Sequence, residues 1–484
     1  MLICTMNSGV LLASICLLGA LLGQGTGQLS PAAPARGGLQ AAPRQVDPAI
    51  TRGDLQAAVV WLAADERKGR STGSPEQLEA ARWLAAGLEA AGIEPGGDQG
   101  FLQCIPLGRV EFSGPPELAL ERKGESPRAA VWGVDFDSIS APAEEAALEL
   151  VVVRGLSDLP ERSSTDKALF LDARGGELRE LSLAAREGWG LVIQRGSSRP
   201  GRSARSEPPG SVRARPGSPV VRVRGPLADE LAAAPGALLR FRAPGRVEER
   251  PAFNVVGILR GAGTAERPEL ASEVVVLSAH YDHLGVREDA GEGEDAVYNG
   301  ADDDASGCAA VLELAEALAA GPAPARTVVF LFATGEEIGM VGTKHYLEQP
   351  PLPLEQTVAN LNFEMVGRPD ALAGGPGKLW LTGWERTNLG PAFAAAGLVA
   401  VPDPRPEQAF FQRSDNYAFA LRGIVAQTLS SYDLHQDYHG VGDEASKLDF
   451  AHMEAAVRDA LAGVRALVEG AIDPAWEPGG APGE

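Results

Sequence analysis

The run Glu273-Val274-Val275-Val276-Leu277-Ser278-Ala279-His280-Tyr281-Asp282 reads as a buried β-strand that delivers an imidazole and a carboxylate at its carboxyl end. Its apolar core is too short for a helix and rich in β-branched residues, which suits a strand covered on both faces. Further strand-like runs follow the same plan, at Val255 to Leu259, Thr327 to Ala333, Thr357 to Phe363, Lys378 to Thr382 and Gly423 to Thr428. Helical stretches intervene, notably Gly307 to Ala319 and Asn388 to Ala396. This alternation predicts an α/β fold: a three-layer sandwich with a mostly parallel mixed sheet covered by helices on both faces. In such sheets ligands collect beyond the carboxyl ends of the strands.

The residues just past those ends carry chemistry. Gly300-Ala301-Asp302-Asp303-Asp304-Ala305-Ser306-Gly307 places three adjacent acids in a small-residue frame. Their mutual repulsion is a cost that a turn alone rarely demands and that a cation relieves. Gly335-Glu336-Glu337 follows the strand at Thr327 to Ala333, although paired acids there would equally suit a helix start favoured by the dipole. Glu364 closes the apolar run in Asn362-Phe363-Glu364-Met365, where an unpaired carboxylate is expensive. His439, in Asp437-Tyr438-His439, lies in a loop where a surface histidine is the default. Each residue alone has a bland explanation. Together, two imidazoles and several carboxylates in this order suit a pair of zinc ions, which needs few imidazoles, a bridging group and open positions for water and substrate.

The chain has 484 residues, enough for two or three domains, and a formal net charge of −22. Such acidity argues against a nucleic-acid partner, whose phosphates demand a basic face. Residues 1–27 carry no charge and include an apolar run from Val10 to Leu22, expected to be a secretory signal or else an uncleaved N-terminal anchor. The protein is accordingly expected outside the cytoplasm, secreted or periplasmic, with membrane anchoring as the alternative and no other membrane partner. Residues 28–50 are rich in Pro, Ala and Gly and read as a flexible linker. Leu55 to Ala64 reads as an amphipathic helix, and Ser74-Pro75-Glu76-Gln77 as a helix start with Ser as N-cap. From 115 to 249 the texture changes to short strands, a helix near Glu177 to Arg186 and an Arg-rich loop between Arg195 and Pro219, as expected of a small inserted α/β domain. Residues 51–114 and 250–475 would then form the main domain and 476–484 a tail. The two cysteines beyond the leader are too few for a disulfide framework, and Cys308 reads as a buried thiol.

On these motifs the chain resembles the co-catalytic zinc aminopeptidase and glutamate carboxypeptidase family, and the 115–249 insertion resembles the protease-associated domain found in that family. The resemblance implies two zinc ions, one held by His280 and Glu364, the other by Glu337 and His439, with Asp303 bridging them. It implies Glu336 as general base, Asp282 and Asp443 supporting the two histidines, and Tyr438 donating a hydrogen bond to the oxyanion. Glu364 stands where many members carry Asp, and Asn416 where His is frequent. The implied activity is that of an aminopeptidase acting on the N-terminal bond of peptides. The alternatives are a carboxypeptidase or dipeptidase, for which Arg368 or Arg413 would hold a terminal carboxylate, and an inactive binding module. Oligomeric state is not legible in the sequence.

Overall fold

The computed structural model describes residues 49–483 apart from 138–140, 161, 186–187, 197–211, 215–217, 288–289 and 398–399. Residues 1–27, expected to be a signal or anchor, and nearly all of 28–50, expected to be a linker, lie outside the described residues, as does most of the Arg-rich stretch between Arg195 and Pro219. Contacts divide the chain into two units. One comprises the chain through Arg70, Glu79–Gln103 and Asn254–Glu484; the other comprises Ser71–Leu78 and Cys104–Phe253.

The first unit is built on a nine-stranded sheet. Its strands are β1 (Glu94–Pro95), β2 (Leu102–Ile105), β3 (Ala252–Leu259), β4 (Val274–His280), β5 (Thr327–Ala333), β6 (Thr357–Phe363), β7 (Leu379–Leu381), β8 (Ala400–Pro402) and β9 (Val425–Ser430). Their order is β1-β3-β5-β4-β6-β9-β7-β8, with β2 paired to β3. The central strands β5, β4, β6 and β9 are parallel. Strand β3 runs antiparallel to β5, and β7 antiparallel to β9, so the sheet is mixed. Every residue of β4 and β5 is buried, as a parallel strand covered on both faces requires.

Helices α1 (Arg52–Leu62), α2 (Pro75–Ala90), α3 (Gly307–Ala319), α4 (Val341–Glu348), α5 (Leu389–Ala395), α6 (Asn416–Ala420) and α7 (Phe450–Val468) complete this description. Helix α2 starts where Ser74 indicates: its hydroxyl accepts the N–H of Gln77 at 3.0 Å, satisfying one of the free donors of a helix start. Val274 and Val276 of β4 share an apolar cluster with Tyr346 and Leu347 of α4 and Phe419 of α6. A second helical layer is made by α1, α3 and α7, which contact one another, and α3 lies against the sheet. The architecture is the expected α/β sandwich.

Strand register positions the site. His280 pairs with Ala333, so the carboxyl ends of β4 and β5 are flush. Ser278 pairs with Asn362, which brings Glu364 level with His280 two residues further along. The other unit contains an eight-stranded mixed sheet in which Ala143–Val153, Lys167–Leu171, Leu191–Arg195 and Val220–Val223 run parallel side by side. Leu148, Leu150, Ala168 and Phe170 enter one core, while Leu169, Leu171 and Val192 enter another, the alternation of strands buried on both faces.

Candidate metal centre

The acidic turn, Ala301–Ser306, joins the β4 side of the sheet to α3. Its three carboxylates, identical in sequence, have different fates. Asp304 accepts the backbone N–H groups of His280 at 3.2 Å, Gly307 at 3.1 Å and Met365 at 3.0 Å, tying the ends of β4 and β6 to the start of α3. Asp302 accepts the N–H of Gly367 at 2.8 Å and lies 3.1 Å from His435 Nε2. Asp303 turns its carboxylate to three other imidazoles: Oδ1 is 3.1 Å from His280 Nε2, and Oδ2 is 3.3 Å from His439 Nε2 and 3.9 Å from His283 Nδ1. The framing glycines permit this packing. Gly300 sits at φ +57°, and a Cβ there would lie 2.6 Å from the His283 ring; a Cβ on Gly307 would strike the Asp304 carboxylate and the carbonyl of Phe363.

Glu337 joins the group from the β5 side. Its carboxylate lies 3.2 Å from His439 Nε2 and 2.7 Å from His283 Nδ1. His283, Asp303 and Glu337 each offer a ligand atom to one point. His283 went unassigned in the sequence, although it stands three residues after His280 and its partners are two of the expected ligands. On the β6 side, Glu364 receives hydrogen bonds from Asn362 Nδ2 at 3.2 Å and from the Ser414 hydroxyl. Five expected ligands thus fall at one edge of the sheet. His280, Asp303, Glu337 and His439 are linked by direct approach.

Two supporting residues behave differently from expectation. Asp282 was expected to reach His280 Nδ1 with its carboxylate, which requires an extended chain. Past β4 the backbone bends, so the carbonyl oxygen of Asp282 lies 3.1 Å from that nitrogen, while the carboxylate stands 3.8 Å away and accepts the N–H of Glu336 at 3.2 Å. Asp282 therefore holds the 335–337 turn. Asp443 was expected beside His439. Its carboxylate instead accepts the N–H groups of Asp302 and Asp303, each at 3.0 Å, and the Arg368 guanidinium at 3.1 Å. Arg368 also binds Asp437 at 2.7 Å, two residues before His439, and so links the His439 loop to the acidic turn.

A buried arginine fastens the other side. Arg70 donates to the carbonyls of Tyr281 at 2.7 Å, Leu62 at 2.6 Å, Asn299 at 2.7 Å and Gly300 at 2.9 Å. It thereby clamps the residues flanking His280 and the acidic turn. Arg70→Met, which strands four buried carbonyls, is expected to cost roughly 3 kcal/mol or more of stability. Arg70→Lys should recover little, because an ammonium cannot reproduce the planar fork. Denaturant unfolding checks this, and a midpoint within error of wild type would refute the clamp.

The electrostatics call for positive charge. Burial, aided by neighbouring acids, pushes the Glu336 and Glu364 carboxyls well above their ordinary range despite the opposing pull of His280. Burial opposes charging of His439, but Asp303 and Glu337 outweigh it and raise the imidazole to about 10. His280 Nε2, both ring nitrogens of His283 and Glu337 Oε1 are buried without a hydrogen-bond partner among the described residues. Buried polar atoms are seldom left so. Imidazole nitrogens lying 2.7–3.3 Å from carboxylate oxygens form a donor set that fits zinc. The Tyr438 ring stacks on His439 with centroids 3.9 Å apart, and burial raises its phenol above the usual range. Cys308 is buried, and its thiol donates to the His280 carbonyl at 3.2 Å.

Residues 254–464 match the profile of Peptidase family M28. Over 171 residues the chain is 30% identical to a probable lipoprotein aminopeptidase, LpqL, of Mycobacterium tuberculosis, covering 35% of this chain and 29% of that protein. Over 85 residues it is 39% identical to leupeptin-inactivating enzyme 1 of Streptomyces exfoliatus, covering 17% of this chain and 19% of that one. The chain spans less than a third of the length of these relatives. Among solved structures it is similar to an aminopeptidase from Aneurinibacillus sp. strain AM-1, at TM-score 0.48 and 18% identity over 88% of this chain and 96% of that one. A zinc aminopeptidase from Bacillus subtilis superposes with TM-score 0.45 and 18% identity, covering 88% and 96%.

Proposed function

We propose, on the match of residues 254–464 to Peptidase family M28, that this chain is a zinc-dependent aminopeptidase that removes the N-terminal residue of peptides. The observation carrying this reading is the convergence of His280, His439 and Glu337 on the Asp303 carboxylate, with His283 against Glu337. Two zinc ions are proposed. His280 and Glu364 would hold one, Glu337 and His439 the other, and Asp303 would lie between them.

Bound zinc would supply Lewis-acid polarisation of the scissile carbonyl and acidification of a water. The chain's own residues do the rest. Glu336, on a turn held through its N–H by Asp282, takes the proton of the attacking water and returns it to the leaving amine. Tyr438, fixed against His439, is placed to donate to the developing oxyanion. Arg368 is engaged by Asp437 and Asp443, which weakens the case for it as an anchor of a substrate carboxylate.

The test is a peptide pair differing only at the N-terminus. A free-amine peptide should lose its first residue, its N-acetylated form should resist, chelation should abolish turnover, and added zinc should restore it. Cleavage of the blocked peptide from its carboxyl end would replace this reading with a carboxypeptidase; bound zinc without turnover of any peptide would favour the binding-module alternative. We also propose an extracytoplasmic location, supported by the uncharged apolar leader and by the lipoprotein name of the mycobacterial relative. No described helix is long and apolar enough to cross a membrane.

A further inference from the structure

A pocket adjoins the centre at Glu364 and Tyr438. Its wall is aromatic: Trp380 meets Phe410 at 5.2 Å between centroids, Phe410 meets Tyr432 at 5.9 Å, and Tyr432 meets Tyr438 at 5.2 Å. Walls of this kind suit an apolar side chain. Two features do not fit so plain a use. Arg413 lines the same pocket with its guanidinium 5.1 Å from the Phe410 ring centroid, and it pairs with no carboxylate among the described residues. The neighbouring arginines are neutralised, Arg368 by Asp437 and Asp443, and Arg405 by Asp370 at 2.5 and 3.0 Å. The indole N–H of Trp380, a residue 2% exposed, is buried and has no acceptor among the described residues. The buried indole N–H asks for an acceptor, and the exposed Arg413 guanidinium on the same pocket favours one that carries negative charge.

Which part of a substrate brings it follows from place and lining. The pocket borders the proposed ligand Glu364, so the group entering it adjoins the scissile carbonyl. Its aromatic wall suits a side chain rather than a continuing polar backbone, and in an aminopeptidase the terminal residue supplies that side chain. Resting on the aminopeptidase assignment above, we propose that Arg413 makes this pocket select an acidic N-terminal residue, glutamate or aspartate, over its uncharged amide isostere. The aromatic wall carries the methylene stem, and the planar fork of Arg413 receives the carboxylate. Glu364 is the lining acid that opposes such a substrate, and in the proposed centre its charge is offset by the cation it holds.

The test uses the zinc-loaded full chain and aminoacyl p-nitroanilides of Glu, Gln, Leu and Lys. Wild type should show kcat/KM for Glu exceeding that for Gln by about tenfold or more, the margin a charge-assisted hydrogen bond adds over a neutral one. Arg413→Gln should bring that ratio near one, Arg413→Lys should keep part of it, and Arg413→Glu should turn the preference towards Lys. A wild-type ratio near or below one, or a ratio that survives Arg413→Gln, overturns the proposal. Turnover of Leu without any Glu-over-Gln preference would remove this inference and leave the aminopeptidase standing. Failure on every free-amine substrate would remove both.

Discussion

Glu336→Gln is expected to lower kcat by about 10²–10⁴-fold while bound zinc and the unfolding midpoint stay at wild-type levels. The substitution preserves shape and leaves the N–H bond to Asp282 intact, so the 335–337 turn keeps its support. What disappears is the one carboxylate in the group assigned to carry a proton rather than a metal. Burial, opposed by His280 and reinforced by Glu364, Asp415 and Glu337, pushes the Glu336 carboxyl upward from its usual range, the direction that suits a base that must also return its proton. Single-turnover rates alongside zinc quantification separate the two roles. A variant that retains the wild-type rate would remove Glu336 from the chemistry; one that loses zinc as well would make it a ligand.

Asp303→Ala should abolish turnover and empty the centre. Its carboxylate lies 3.1 Å from His280, 3.3 Å from His439 and 3.9 Å from His283, so the variant leaves three imidazoles without a common partner. Zinc affinity should fall by at least the roughly 10–100-fold that loss of an outer hydrogen-bond partner costs a metal site. Chelator competition measures this directly. Asp302→Ala and Asp304→Ala would act differently, because their carboxylates serve backbone N–H groups: those variants should loosen the turn and lower stability. Retention of two tightly bound zinc ions in Asp303→Ala would exclude it as the bridge.

Much of the sheet was legible because burial follows local runs. Val274 to His280, Thr327 to Ala333 and Thr357 to Phe363 are apolar enough to demand cover on both faces, and each lies in the parallel core. The antiparallel edges were less evident, since β7 is only three residues long and pairs antiparallel with β9, which follows it by more than forty residues. The centre was legible in part. Order and residue type pointed to His280, Glu364, His439 and the two acidic clusters, and the resemblance singled out Asp303 and Glu337; His283 went unassigned, because a histidine beside an expected ligand is indistinguishable from a structural one until its ring is seen against Glu337. The supporting acids were misplaced for a related reason. The resemblance set Asp282 and Asp443 beside the imidazoles, whereas the carboxylate of each accepts backbone N–H from another segment.

The sequence by itself determined that an α/β sheet would present acids and imidazoles at one edge, because hydrophobic burial and the repulsion of adjacent carboxylates are properties of short stretches. Only the tertiary structure decided which of three neighbouring aspartates faces the imidazoles, which arginine is held by acids and which stands free in the aromatic pocket. Those outcomes depend on donors supplied from distant parts of the chain. Met365, Gly367 and Arg368, far from the acidic turn in sequence, settle the orientation of Asp302 and Asp304 and the anchoring of Asp443, leaving Asp303 to the centre.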